Sequence, residues 1–214
     1  MDTKIAFILG AGHNIGHHVA KKFAANGYKG GGVQADFKDP LAVVSAFKQV
    51  RDAWGEPSVV IYNAYAVHIV PADDAFSLAS TAMQKDLAVN VSSLYVAIQE
   101  TVKGWKNLFS CHKVFIFTGN TLNVSGAMPS FLTLGVGKAA GAHLIDAAVK
   151  SYGSQNYKFY YADERNPDGS PTGNSVDGKA HSESYFQLAE EAEQQPWNYT
   201  FVKFDGYTKF ELRR

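Results

Sequence analysis

Three stretches of this 214-residue chain are apolar without alternation: residues 4–9 (KIAFIL), 58–62 (SVVIY) and 113–118 (KVFIFT). A strand with one face in water alternates apolar and polar side chains; a strand buried on both faces does not. Runs of this kind demand a parallel sheet covered on both sides, and the intervening segments supply the covers. In residues 14–26, Ile15, Val19 and Phe23 recur at every fourth position, and Gly27 suits the cap that ends a helix. Asp39 and Pro40 read as an N-cap and first helical residue, and Leu41, Val44, Phe47 and Trp54 carry that helix to a stop at Gly55. From about residue 80, Met83, Leu87, Val91, Leu94, Ile98, Val102 and Trp105 form one long stripe. Residues 133–152 are helical again and crowded with Gly and Ala. Residues 158–161 and 200–204 read as late strands, and 181–193 as a last helix. Alternation of strand and helix predicts one doubly wound α/β domain over residues 1–214.

Composition narrows the possible partners. Twenty Lys and Arg balance twenty Asp and Glu, so the formal net charge is zero. That gives no electrostatic case for nucleic acid or an anionic membrane surface. The single cysteine, Cys111, rules out an intrachain disulfide and agrees with a reducing compartment. The opening MDTKIAFILGAG has an apolar run too short to span a bilayer, and an acidic residue where a signal peptide carries positive charge. A cytoplasmic protein acting on a small molecule is the expectation. Residues 163–179 (DERNPDGSPTGNSVDGK) are polar and rich in turn formers. With the helix that follows, the span 163–195 is expected to cover a substrate, because loops after strand carboxyl ends border the ligand crevice of such sheets.

The first strand runs into ILGAGHNIGHHVAKKF, residues 8–23. A helix N-terminus offers free N–H groups and a positive dipole end to a diphosphate, provided nearby side chains are small. Gly10, Gly12 and Gly16 stand at this strand-to-helix passage. The spacing GxGxxG fails because Ile15 holds its third position. GxxxGxG fits at two of three positions, with Asn14 in place of the middle glycine. Asparagine tolerates left-handed backbone better than most residues, so the turn is expected to keep its shape.

At this point the chain resembles the short-chain dehydrogenase/reductase family, along nearly its whole length. Asp36 in VQADF is similar to the family's acidic residue at the adenine ring. YNAYA (62–66) is similar to its Asn-Asn-Ala-Gly segment and keeps Asn63 and Ala64. Asn90 in LAVNVSS matches the asparagine of the long central helix, where the family has a backbone kink and a proton-relaying water. The resemblance implies a Rossmann-like fold and an oxidoreductase using NADP or NAD on a small carbonyl or alcohol. The cofactor would contact Gly10, Gly12, Asn14, Ile15, Gly16, Asp36, Asn63, Ala64 and Lys138. It also implies a homodimer or homotetramer built on residues 80–105 and 133–152, with Gly137, Gly141 and Ala148 as a small-residue face that equally suits packing on the sheet.

The family's Ser, Tyr and Lys are not all present. Aligning TLGVGKAAG with the Tyr-x-x-x-Lys helix keeps Lys138 but puts Leu134 where the tyrosine stands. Asn120 in FTGNTLN replaces the serine, and YYADER replaces the Pro-Gly turn after the sixth strand. Only YKGGGVQAD (28–36) connects the first helix to Asp36, so roughly one βα unit, the one that reads the adenosine ribose, is missing. An altered relay would use Lys138, Asn120, Asn90 and a displaced group such as Tyr65, which equally fits a role as a plug at the nicotinamide position. His68, Tyr161, Asp163 and Glu164 also follow strand ends. His68 reads as a solvated loop residue, and 163–165 as a solvated or salt-bridged loop. His13 at the turn reads as a surface residue, or as added positive charge beside a phosphate. The adjacent His17 and His18 diverge on a helix, and no spacing suggests a metal site. The alternative is a catalytically impaired or non-redox member of the same fold that binds a small molecule or a protein.

Overall fold

A computed structural model describes residues 4–109 and 112–211, so Cys111 and both chain ends lie outside the described residues. Five strands, β1 (Ala6–Leu9), β2 (Val59–Tyr62), β3 (Val114–Thr118), β4 (Lys158–Arg165) and β5 (Asn198–Val202), lie parallel in that order. A two-residue β6 (Gly206–Tyr207) returns antiparallel at the edge. Helices α1 (Ile15–Ala25) and α6 (Gly178–Glu190) cover one face. Helices α2 (Pro40–Trp54), α4 (Ser93–Trp105) and α5 (Leu132–Tyr152) cover the other. The chain is a single-domain Rossmann-like α/β fold.

The strand residues explain the unalternated runs. Val59 and Ile61 join Val19, Phe23, Tyr185 and Leu188 on one side. Val60 and Tyr62 join Phe47, Leu94, Trp105 and Ile145 on the other. Successive side chains alternate between two dry cores rather than between core and water. Asp39 caps α2 by accepting from the Leu41 amide at 2.9 Å, and Gly27 and Gly55 take positive φ (83° and 108°) after α1 and α2.

Two features differ from the sequence reading, and two more complete what it left open. The long stripe from Ser80 to Trp105 is not one regular helix: α3 (Ser80–Leu87) passes through a π-helical turn, Ala88–Ser92, into α4. β4 runs four residues past 161, so Asp163, Glu164 and Arg165 are buried in a strand and not in a loop, while the salt-bridged alternative holds for Asp163 and Arg165. Residues 28–36 form no strand; only a parallel bridge between Ile5 and Lys29 remains at the β1 edge, with Gly31 pressed against the Trp54 ring. The small-residue face of α5 is spent inside the chain. A Cβ on Gly137 would meet Asn90, one on Gly141 would meet Phe117 and Leu94, and Ala148 is buried. Among the described residues no helix is long and apolar enough to cross a membrane.

Candidate active site

The glycine turn is open where a ligand would approach and tight where the chain packs. Gly10 has φ +94°, and a Cβ there would sit 2.5 Å from the Ala64 nitrogen. A Cβ on Gly16 would sit 2.5 Å from the Ala11 Cα. Both glycines are fixed by close backbone approach. Gly12 faces open space and lines a cleft of about 450 Å³ with Ala11, His13, Gly16, His17 and Ala20. The first N–H groups of α1, at Ile15 and Gly16, have no intrahelical acceptor by the geometry of any helix start. Asn14 does not adopt the expected left-handed backbone; its φ and ψ are both −97°. Its side chain instead ties the turn to α6, accepting from the Gly178 amide and donating to the Val176 carbonyl, each at 2.9 Å. Ile15 is half-buried against the α1/α6 core, and His13 and His17 are exposed.

Behind the turn, one hydrogen-bond chain crosses the strand ends. Asn63 Nδ2 donates to the Gly10 carbonyl at 2.8 Å, Thr118 Oγ1 donates to Asn63 Oδ1 at 2.9 Å, and Tyr185 OH donates to Thr118 Oγ1 at 2.9 Å. Lys138 Nζ donates to the Thr118 carbonyl at 2.6 Å and lies 4.4 Å from the Phe117 ring centre. Burial pushes the Lys138 ammonium down to about 7, against the opposing pull of Asp163. Asp163 is itself pushed up to about 6 by burial, although it is paired with Arg165. On α6, His181 is pushed down to about 4 by burial; it lies 3.4 Å from Glu164.

Among the described residues the predicted relay residues make no hydrogen bond to one another. Asn90 sits inside the π-helical turn and clamps Ala66, accepting from its amide at 2.9 Å and donating to its carbonyl at 2.7 Å. Asn120 is half-buried; its Oδ1 accepts from the Leu122 amide, while Tyr161 OH bonds both its amide and its carbonyl. Leu134 is buried one helical turn before Lys138. Tyr65 is 64% exposed on the loop after β2. Asp36 is exposed and accepts from the Lys38 amide in a local turn, and Ala64 donates to the Leu9 carbonyl against Gly10. A second cleft of about 720 Å³ opens beyond Asn120, between Thr121, Met128, Arg165 and Phe210.

Sequence reasoning missed one cluster. Asp86 is buried and accepts three hydrogen bonds: from the His68 amide and the Thr133 hydroxyl at Oδ2 (2.8 and 2.6 Å), and from His68 Nδ1 at Oδ1 (2.8 Å). The signal was available, because Asp86 precedes Asn90 by four residues and so shares its helix face.

No family model matches the chain. A curated relative, the short chain dehydrogenase/reductase dmxR12 of Cryptosporiopsis sp. (strain 8999), is 41% identical over 240 residues, covering 98% of this chain and 96% of the relative. That alignment is longer than this chain, so the relative carries residues opposite gaps here. Two solved structures share the fold. One is a metagenomic short-chain oxidoreductase in complex with NADP (15% identity, TM-score 0.77, 90% of this chain and 93% of that one). The other is a blue fluorescent protein from a metagenomic library in complex with NADPH (16%, 0.74, 95% and 97%). The chain belongs to the short-chain dehydrogenase/reductase family, a family of oxidoreductases.

Proposed function

We propose that this protein binds a nicotinamide dinucleotide at the glycine turn and interconverts a small carbonyl compound and its alcohol with a rebuilt proton relay. The observation that carries the reading is the open cleft at Gly12 beside the uncapped start of α1. The residues present fit a diphosphate: backbone approach is unobstructed, free amides point from a helix N-terminus, and every cleft-lining side chain is small or a histidine. NADP is the first cofactor to test, since two structures of this fold hold NADP or NADPH. The bound nicotinamide would supply or accept hydride. Asn63 and Ala64 would form the floor of the site, Asn90 would hold the loop at Ala66, and the Asn120 amide would polarise the carbonyl. Lys138 would position the ribose once its ammonium leaves the Thr118 carbonyl. Tyr65, Ile69 and Met128 are exposed apolar side chains on loops after β2 and β3, which suits an apolar substrate at the mouth. Association into a homodimer or homotetramer would use exposed parts of α4 and α5 such as Tyr95 and Val136.

One observation favours the second reading, a protein of this fold without redox activity: Lys138 is buried and already bonded, and its neighbour at the tyrosine position is a leucine. NADPH and NADH oxidation assayed across a panel of aromatic ketones and quinones separates the two. Turnover abolished by Lys138→Ala supports the first reading. Cofactor binding without turnover of any substrate supports the second.

A further inference from the structure

Resting on the reading of the chain as a nicotinamide-dependent reductase, we propose that His68, held by Asp86, is the proton donor that replaces the missing tyrosine. Asp86 and Thr133 mark the place. Asp86 lies one helical turn before Asn90, which clamps the loop at Ala66. Thr133 immediately precedes Leu134, where the family's tyrosine stands, and its hydroxyl reaches Asp86. The loop then runs along the entrance of α5, since the Val70 amide donates to the Ser130 carbonyl. His68 therefore stands where the β2 loop meets the start of α5, joined through Asp86 to Thr133, the residue before the family's tyrosine position.

Its ring is held by one edge only. Nδ1 is committed to Asp86 at 2.8 Å, which leaves Nε2 on the opposite edge of a side chain that is 48% exposed. Asp86 is the carboxylate that the described residues place within salt-bridge distance of His68, and it is only 2% exposed at its side chain. A buried carboxylate that fixes one ring nitrogen and leaves the other free sets tautomer and direction. In reduction, the carbonyl carbon receives hydride from the dihydronicotinamide, and the C=O π pair moves to oxygen. That oxygen takes the Nε2 proton of the imidazolium. Neutral His68 keeps its Nδ1–H on Asp86 and is reprotonated at Nε2 by solvent, while the cofactor leaves oxidised. Asp86 and Thr133 act through His68 and are positioning residues.

The discriminating variant is His68→Asn, whose amide keeps a donor for Asp86 but has nothing at the Nε2 position. With NADPH and 9,10-phenanthrenequinone as probes, kcat should fall by about 100-fold or more, with NADPH affinity unchanged. Asp86→Asn should lose about tenfold through misorientation and serves if His68→Asn fails to fold. Independently of activity, ¹⁵N NMR at alkaline pH should show His68 protonated at Nδ1. A His68→Asn enzyme within about threefold of the parent kcat overturns the proposal, because a purely structural tether survives in that variant. So does a His68 ring protonated at Nε2 in the neutral form. Parent protein that binds NADPH but never reduces the quinone overturns the donor role and leaves the cofactor site standing. No NADPH binding overturns the underlying reading as well.

Discussion

At the glycine turn the chain keeps its backbone exposed and its side chains small; at the start of α5 it does the reverse. Gly12 faces open space, while Leu134 and Lys138 are buried and the Lys138 ammonium ends on a backbone carbonyl. The two regions border the same row of strand ends and share one hydrogen-bond chain through Asn63 and Thr118. The difference teaches that backbone geometry suited to binding and side chains suited to proton transfer are set by separate elements of this fold. The turn needs only geometry, which three glycines secure. The relay needs a titratable group, and such a group can be supplied from another element.

The largest expected effect divides the glycines themselves. Gly10→Ala meets both a positive φ and the Ala64 backbone at 2.5 Å, so it should cost about 3–4 kcal/mol of stability in urea unfolding. Gly12→Ala has open space and should stay within about 0.5 kcal/mol, while losing NADPH affinity. Equal losses of stability would break the distinction between packing and binding glycines.

Restoring the relay is the next test. In a His68→Asn background, Asn120→Ser with Leu134→Tyr should restore quinone reduction by about 100-fold, roughly 2.7 kcal/mol in the barrier, if the turn already presents the cofactor. No gain would mean that the two regions are not in register.

Lys138 gives a pH signature. Its folded value, about 7, lies below the ordinary 10.5, so between them the unfolded chain binds more protons. Stability should therefore rise with pH across this window, by about 2–3 kcal/mol from pH 7 to 9. Lys138→Met should lose that slope, as read from unfolding free energies at several pH values. A parent and variant with parallel curves would show an ammonium that stays in water.

The smallest effect concerns the link between α6 and the strand ends. Tyr185→Phe removes a buried hydroxyl from Thr118 Oγ1 and should cost about 1 kcal/mol, measured by urea unfolding.

Much of this fold was legible because burial on both faces leaves a plain mark. The continuous runs at β1, β2 and β3, the Asp39-Pro40 start and the Gly27 and Gly55 stops each follow from local chemistry. The end of β4 was hidden, because Asp163, Glu164 and Arg165 read as solvent-facing. They are buried in the strand; Asp163 pairs with Arg165, and Glu164 accepts from the Asp177 amide near His181. The apolar stripe did not show the π-helical turn at Asn90, since it does not register one inserted residue's worth of phase; only the family resemblance implied a kink there. Of the site, the glycines, Asn63 and Lys138 were visible as residue types. Their partners were not: Asn14 reaches residues 176 and 178, and His68 reaches Asp86, contacts made only once the elements pack.

Equilibrium titration of NADPH fluorescence into the full chain tests the central claim most directly. Saturable binding at micromolar NADPH, weakened in Gly12→Ala without loss of fold, is the predicted result. A protein that remains folded yet takes up no NADPH at millimolar concentration would contradict it.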